Sequence, residues 1–252
     1  MSTMRFLTAI PVYNEETHLE EVLVATRPFS KEILVVDDGS SDGTPRLLER
    51  FPDVRVLTHR SNEGYGAGLR DAFCYAIEHE FEVLVTMDCD GQHEPRRIPE
   101  LLAVAGADIV SGSRYLRHFE ADSVPPEDRR RINWEITREL NRRYGLDLTD
   151  AFCGFKAYRT DSLRKLYITE PGYGMPLELW VQAARLGLRI REVPVPLIYL
   201  DEKRAFGGSL DDASRRRAYY YEVMERAARR QERIERGEPV AECRGRQEGA
   251  AR

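Results

Sequence analysis

The stretch EILVVDDGSSDG at residues 32–43 decides the fold class. Its four successive aliphatic residues, with no polar residue between them, are typical of a strand buried on both faces of a sheet. The pattern returns at residues 82–92, EVLVTMDCDGQ, and further apolar runs occur at residues 6–12 and 54–57. Segments with helical spacing lie between these runs. We therefore predict an α/β fold, a mostly parallel sheet flanked by helices.

Polar loops follow the predicted strands at residues 11–15, 37–43, 60–64 and 88–93. In open parallel sheets, ligands bind beyond the carboxyl ends of the strands. We therefore expect all four loops to lie along one edge of the sheet and to form one cleft.

The second half of the chain changes in character after residue 115. Residues 116–130 are polar and contain two consecutive prolines, which predicts a mobile loop. Helices are expected from about residue 127 to 144 and near 177–186. A strand over 189–200 is expected at the sheet edge, because Pro194 and Pro196 interrupt it. Residues 211–236 read as a long helix, and the segment beyond them as a frayed tail.

Composition excludes several classes of protein. The chain has 252 residues, 42% of them hydrophobic, so it can bury a sizeable core. Its net charge of −5 argues against a duplex nucleic-acid binder. No apolar stretch approaches the roughly 20 residues of a membrane span, and no export signal is visible. The four cysteines lack CxxC spacing and are expected to be reduced thiols. We expect a cytoplasmic protein.

The last part of the chain is basic. Residues 215–252 contain eleven arginines and seven glutamates, whereas the preceding 214 residues are acidic overall. The predicted helix 211–236 could rest on a membrane surface or pack on the domain with its charges facing water. Both interpretations stay open at this point.

Asp88 and Asp90 flank Cys89 directly after a predicted strand. Two nearby carboxylates repel each other unless a cation lies between them. Mg²⁺ is commonly held by one or two carboxylates together with substrate phosphates. A simple polar turn is the alternative. Asp38 stands at the same sheet edge, where its carboxylate could accept hydrogen bonds from a base or ribose. The glycines at 64, 66 and 68 are expected to allow close packing of a helix.

Taken together, the four loops resemble those of family 2 glycosyltransferases of the GT-A fold, in order and spacing. Later segments narrow the resemblance to the polyprenyl-phosphate (dolichyl-phosphate) mannosyl- and glucosyltransferases. These segments are GSRY at 112–115, Asp150 with CGFKAYR at 153–159, EVP at 192–194 and RAFGGS at 204–209. The resemblance covers about residues 5–210. It implies a single domain, 1–210, with a nucleotide-sugar half (1–115) and an acceptor half (116–210), followed by the basic helix and tail, 211–252.

The resemblance also implies roles for individual residues. The donor would be bound by Pro11, Tyr13, Glu15, Asp38, Asp88, Cys89, Asp90 and Gln92, and Mg²⁺ or Mn²⁺ by Asp88, Asp90 and Gln92. Phosphate groups would be bound by Arg114, Arg131, Arg204 and Ser209. Asp90, Arg114 and Asp150 are the candidate catalytic residues, although Arg114 could instead pair with an acidic neighbour. Leu210 stands where the family usually has a lysine.

The implied reaction is inverting transfer of a sugar from a nucleotide diphosphate to a polyprenyl phosphate. Mannose is favoured, but the sequence does not decide between GDP-mannose, UDP-glucose and other donors. A phosphate acceptor is already ionised and needs arginines rather than a strong base. A neutral sugar or small-molecule hydroxyl, the alternative acceptor, would need a base, for which Asp150 is the candidate. A lipid acceptor would bring the chain peripherally to the inner membrane surface.

Two other classes of function are compatible with parts of the sequence. Residues 88–91, DCDG, also resemble the nucleophile loop of haloacid-dehalogenase-like phosphatases. In that family the loop follows the first strand and continues with Thr or Val, whereas here it follows the fourth strand and continues with Gln92. A catalytically silent nucleotide-sugar binder is the other alternative.

Overall fold

A computed structural model of the protein describes residues 4–120, 122–200 and 208–238. Within these ranges seven strands form one sheet in the order β3-β2-β1-β4-β6-β5-β7. The strands are β1 (Phe6–Val12), β2 (Ile33–Asp37), β3 (Arg55–Thr58), β4 (Val83–Thr86), β5 (Ile109–Ser113), β6 (Lys156–Arg159) and β7 (Ile190–Pro194). All neighbouring pairs are parallel except those of β6, which is antiparallel to β4 and β5. The predicted α/β class, with a mostly parallel sheet, is confirmed.

The helices cover both faces of the sheet because its central strands are apolar on both sides. The helices are α1 (Leu19–Thr26), α2 (Thr44–Leu48), α3 (Tyr65–Glu78), α4 (Ile98–Leu102), α5 (Glu127–Tyr144), α6 (Thr160–Leu163), α7 (Met175–Arg185) and α8 (Ala213–Glu235). Leu34 and Val36 of β2 pack in one core with α3, α5, α7 and α8, whereas Ile33 and Val35 pack in a second core with α1, α2 and α4. This alternation follows from the two-residue period of a strand.

The second half follows the predicted order of elements. The predicted helix at 127–144 is confirmed as α5, and the one near 177–186 lies at Met175–Arg185. The last strand does lie at the sheet edge, but it ends at Pro194 instead of extending to residue 200. Pro196 cannot donate a backbone hydrogen bond, which disfavours longer pairing. The mobility expected for residues 116–130 stays a prediction. Residues 127–130 form the first turn of α5, and before them the Ser123 N–H donates to the Leu197 carbonyl at 2.7 Å.

Helix α8 packs on the domain, as one of the two interpretations of the basic segment requires. Tyr220, Val223, Met224 and Ala227 are buried in the same core as α3, α5 and α7. Arg217 on its outer side forms an ion pair with a residue of α5. None of the helices that the structure describes combines the length and apolar sequence needed to cross a bilayer.

Candidate active site

The four loops at the carboxyl ends of β1 to β4 meet in one cleft of about 450 Å³. Its lining includes the residues predicted to bind a donor: Pro11, Tyr13, Glu15, Asp38, Asp88, Cys89, Asp90 and Gln92. Arg114, Arg129, Arg216 and Tyr220 also line it. One cleft therefore brings carboxylates and arginines together.

The first two loops are joined by hydrogen bonds around Asn14. Asn14 adopts a left-handed conformation with φ 56°, which asparagine tolerates better than most residues. Its side-chain oxygen accepts a hydrogen bond from the Ser41 N–H at 2.8 Å, and the Glu15 N–H donates to Thr44 Oγ1 at 2.9 Å. Glu15 is buried, whereas Tyr13, which also lines the cleft, is 45% exposed.

Asp38 is buried and its carboxylate holds the third loop. Its two oxygens accept hydrogen bonds from the Glu63 and Gly64 N–H groups at 2.7 and 2.8 Å. His59 lies between Asp38, at 2.6 Å, and Asp71, at 2.9 Å. Hydrogen bonds to these two carboxylates raise the pKa of His59 to about 9, so the imidazole is charged at neutral pH. The sequence analysis missed His59, because no local motif marks it.

The carboxylates of Asp88 and Asp90 are oriented by their neighbours. Asp88 Oδ1 accepts a hydrogen bond from the Tyr65 hydroxyl at 2.9 Å. Asp88 Oδ2 lies so close to Gly154 that a Cβ on this glycine would be 2.3 Å from it. Asp90 Oδ1 accepts the Gln92 backbone N–H at 3.0 Å. Both aspartates are half-buried at the cleft wall, so each carboxylate can reach a bound ligand.

A hard divalent cation fits the chemistry of this pair. Carboxylate oxygens are ligands that Mg²⁺ and Mn²⁺ accept readily. Within the described ranges, no three His, Cys, Asp or Glu side chains are grouped closely enough to hold a metal ion by themselves. A cation at Asp88 and Asp90 would therefore share its coordination with oxygen atoms of a bound ligand. The cysteines that the structure describes, Cys74, Cys89 and Cys153, are free thiols, as the sequence predicts. Cys243 lies outside the described residues.

Arg114 and Asp150 form a buried ion pair. Arg114 Nε donates to Asp150 Oδ2 at 2.6 Å and Nη2 to Oδ1 at 2.9 Å, while Asn133 Nδ2 adds a bond at 2.8 Å. Burial alone would raise the pKa of Asp150, but the guanidinium outweighs it and holds that pKa well below its usual range. Asp150 is fully buried and does not line the cleft. The structure therefore does not favour Asp150 as a general base, and the alternative that Arg114 pairs with an acidic neighbour holds.

Helix α5 presents Arg129, not Arg131, to the cleft. Successive residues of a helix point about 100° apart, so Arg131 lies on the side of α5 away from Arg129. Arg129 lines the cleft and donates a hydrogen bond to the Tyr199 hydroxyl, whereas Arg131 is exposed. The structure does not bring Arg131 to the cleft. Of the other predicted phosphate ligands, Ser209 is exposed and does not line the cleft, and Arg204 lies outside the described residues.

A third arginine in the cleft comes from the C-terminal helix. Arg216 of α8 is 2% exposed, and it donates hydrogen bonds to Asp128 at 2.6 Å and to the Leu210 carbonyl at 2.8 Å. Sequence reasoning missed it because it lies beyond the segment that resembles the family, in a run of three arginines whose helix phase decides which one is buried.

Comparisons with known proteins agree with this geometry. A family model described as "Glycosyl transferase family 2" matches residues 8–167. An undecaprenyl-phosphate mannosyltransferase of Micrococcus luteus is 39% identical over 222 residues, which cover 83% of this chain and 91% of that protein. A polyprenol monophosphomannose synthase of Mycolicibacterium smegmatis is 32% identical over 237 residues, covering 88% and 87%.

Solved structures show the same fold at lower identity. Glucosyl-3-phosphoglycerate synthase from Mycobacterium tuberculosis, in complex with UDP, superposes with a TM-score of 0.68 at 19% identity, covering 94% of this chain and 82% of that one. The complex of that enzyme with Mn²⁺, UDP and glucosyl-3-phosphoglycerate gives a TM-score of 0.68 at 20% identity, with the same coverage. The predicted GT-A fold is confirmed.

Proposed function

The chain belongs to glycosyltransferase family 2, and from this premise we propose that it transfers a sugar, with mannose favoured, from a nucleotide diphosphate donor to a polyprenyl phosphate. The observation that carries the proposal is that one cleft is lined both by the carboxylates of Asp88 and Asp90, here called the carboxylate wall, and by the guanidinium groups of Arg114, Arg129 and Arg216, here called the arginine wall. Two relatives that cover most of the chain, both named for mannose and a polyprenyl or polyprenol acceptor, support the choice of substrates.

The carboxylate wall would bind the donor. Asp88 and Asp90 would hold Mg²⁺ or Mn²⁺, with Gln92 and Cys89 beside them, and a bound ion would neutralise charge on the departing diphosphate. Pro11, Tyr13 and Glu15 are proposed around the nucleoside. Asp38 would act mainly through the loop that it holds, because both of its oxygens already accept backbone N–H groups.

The arginine wall would bind the acceptor phosphate. A guanidinium suits phosphate oxygens and keeps its charge at every working pH. Arg129 and Arg216 are the proposed ligands, together with Nη1 of Arg114, the nitrogen not used in the pair with Asp150. Arg204 and Ser209 are also proposed, on the resemblance to the family.

The chemistry then needs no general base. A phosphate monoester is mostly dianionic at neutral pH, because its second pKa is about 6. One of its oxygens would attack the anomeric carbon from the face opposite the diphosphate. The bond from that carbon to the diphosphate oxygen breaks, and its electron pair leaves with the nucleoside diphosphate, so the anomeric centre is inverted. This scheme agrees with the ion pair between Asp150 and Arg114, because it does not require the Asp150 carboxylate to accept a proton.

The donor side can be tested by calorimetry. GDP-mannose, UDP-glucose and other nucleotide sugars are titrated into the protein with and without Mg²⁺ or Mn²⁺. We expect affinity that depends on the metal and prefers GDP-mannose, and loss of the metal-dependent part in Asp88→Ala and Asp90→Ala. Asp53→Ala, an exposed carboxylate paired with Arg27, is the matched control. Unchanged metal-dependent affinity in both cleft variants would contradict the proposal.

The acceptor side is tested by comparing a phosphate with a hydroxyl. Transfer to a polyprenyl phosphate is expected, and transfer to a neutral glycoside is not. The reverse result would favour the alternative acceptor. A lipid acceptor also implies peripheral contact with the inner membrane surface, which co-sedimentation with vesicles containing polyprenyl phosphate would detect.

A further inference from the structure

We propose that Tyr65 is a positioning residue for Asp88, the first carboxylate of the proposed cation site. This inference rests on the proposed function and concerns a residue that neither the motifs nor the comparisons single out. The Tyr65 hydroxyl donates to Asp88 Oδ1 at 2.9 Å. Loss of a neighbour that orients a metal-binding side chain typically lowers metal affinity or activity by about 10- to 100-fold.

The backbone fixes where Tyr65 lies. Tyr65 is the first residue of α3 and follows Gly64, whose φ of 104° is a conformation that favours glycine. The next two amides, of Gly66 and Ala67, donate to the Pro171 carbonyl at 2.7 and 3.1 Å. The start of the helix is therefore tied to the loop before α7, and the tyrosine cannot shift along the cleft wall without breaking these bonds.

Stacking fixes the ring. Tyr173 lies parallel to Tyr65, with the ring centroids 5.7 Å apart and an angle of 19° between the planes. The stacked ring directs its hydroxyl to Asp88, where it donates a hydrogen bond to the Oδ1 oxygen at 2.9 Å.

The hydrogen bond from Tyr65 consequently orients the Asp88 carboxylate. Tyr65 donates to Oδ1, and Oδ2 lies beside Gly154, where a Cβ would come within 2.3 Å of it. Without the hydroxyl, the carboxylate gains freedom to rotate about its last side-chain bond. Binding a cation would then have to restrict the rotation of the carboxylate, which lowers the affinity for the cation. The stability of the ligand-free protein should be little changed.

The test measures metal binding directly, without turnover. Mn²⁺ is titrated into the full chain at saturating GDP and followed by electron paramagnetic resonance. Tyr65→Phe keeps the ring and its stack but removes the hydroxyl, and we expect Mn²⁺ affinity to fall by about 10- to 100-fold. Metal-free GDP affinity and the melting temperature of the ligand-free protein should match the unmodified protein. Tyr75→Phe, a buried tyrosine on the same helix but outside the cleft, should bind Mn²⁺ normally.

A double variant separates positioning from a general structural role. If Tyr65 acts through Asp88, then Tyr65→Phe causes little further loss of Mn²⁺ affinity in an Asp88→Asn background, which keeps one side-chain oxygen for the cation and therefore a measurable affinity. An additional loss of the full size there, unchanged affinity in Tyr65→Phe alone, or an equal loss of metal-free GDP binding would each overturn the inference. Absence of Mn²⁺ binding by the unmodified protein with GDP would instead overturn the proposed function, on which the inference depends.

Discussion

Removing the guanidinium of Arg114 should destabilise the protein, because the buried carboxylate of Asp150 then lacks its ion-pair partner. Asp150 is 0% exposed, and Arg114 supplies two charged hydrogen bonds to it, at 2.6 and 2.9 Å. Breaking a buried pair by removing one partner typically costs about 3–5 kcal/mol of the free energy of unfolding. We expect the lower end for Arg114→Leu, about 3 kcal/mol, because neutral donors from Asn133 and Phe152 remain on the carboxylate.

The opposite deletion should cost less. In Asp150→Asn the group that loses its charged partner is Arg114, whose side chain is 21% exposed and can be hydrated from the cleft. The double variant Arg114→Leu/Asp150→Asn should be more stable than Arg114→Leu alone, with a coupling energy of about 2 kcal/mol, since residues in one buried network are not additive. Urea unfolding at pH 7 of the four proteins measures this cycle.

The pH dependence identifies charge as the cause. The lowered pKa of Asp150 gives stability that is present above the unfolded value, near pH 4, and is lost as the pH falls through the lower folded pKa. The stability difference between the unmodified protein and Arg114→Leu should therefore shrink on acidification below about pH 4. A difference that is small at pH 7, or constant with pH, would refute the reasoning and indicate lost packing instead.

Three further predictions concern other parts of the cleft. Gly154→Ala should abolish Mn²⁺ binding measured with GDP while the protein stays folded by circular dichroism, because the new Cβ would lie 2.3 Å from Asp88 Oδ2. His59→Gln should be less stable to urea at pH 7, and the difference should vanish as the pH rises through about 9, since a histidine with a raised pKa contributes stability that is full below about pH 6.5 and lost above the folded value. Arg129→Gln should raise KM for polyprenyl phosphate by about 10-fold or more in steady-state assays, and Arg131→Gln should not; equal effects would contradict the assignment of the cleft-facing arginine.

Much of the fold could be predicted because its signals are local. The runs at β2 and β4 are continuously apolar and end in acidic residues, which marks both a buried strand and the edge at which a ligand binds. The limits of α5 follow from Pro126 before it and from Gly145 after it, which takes a φ of 66° at the helix end. The antiparallel direction of β6 has no such local signal, because the side-chain period of a strand is the same in both directions.

The position of a cleft residue could be predicted where its loop directly follows a strand. It could not be predicted where the packing of distant segments brings the residue to the cleft. Asp38, Asp88 and Asp90 needed only the order of strands. Asp150 was expected as a possible base, but it lies in the loop after α5 whereas its partner Arg114 follows β5, and their contact depends on how the chain packs. Arg216 needed the docking of α8 on the domain. The phosphatase alternative for residues 88–91 is excluded by the membership in glycosyltransferase family 2.

The most direct test of the proposed function is transfer of radiolabelled mannose from GDP-mannose to a short-chain polyprenyl phosphate in detergent with Mn²⁺. We predict a lipid-extractable, labelled product that requires the metal, fails with the corresponding polyprenol that lacks phosphate, and is lost in Asp90→Ala but not in the surface control Asp53→Ala. Label transferred equally well to the polyprenol, or product formed at the normal rate by Asp90→Ala, would contradict the account.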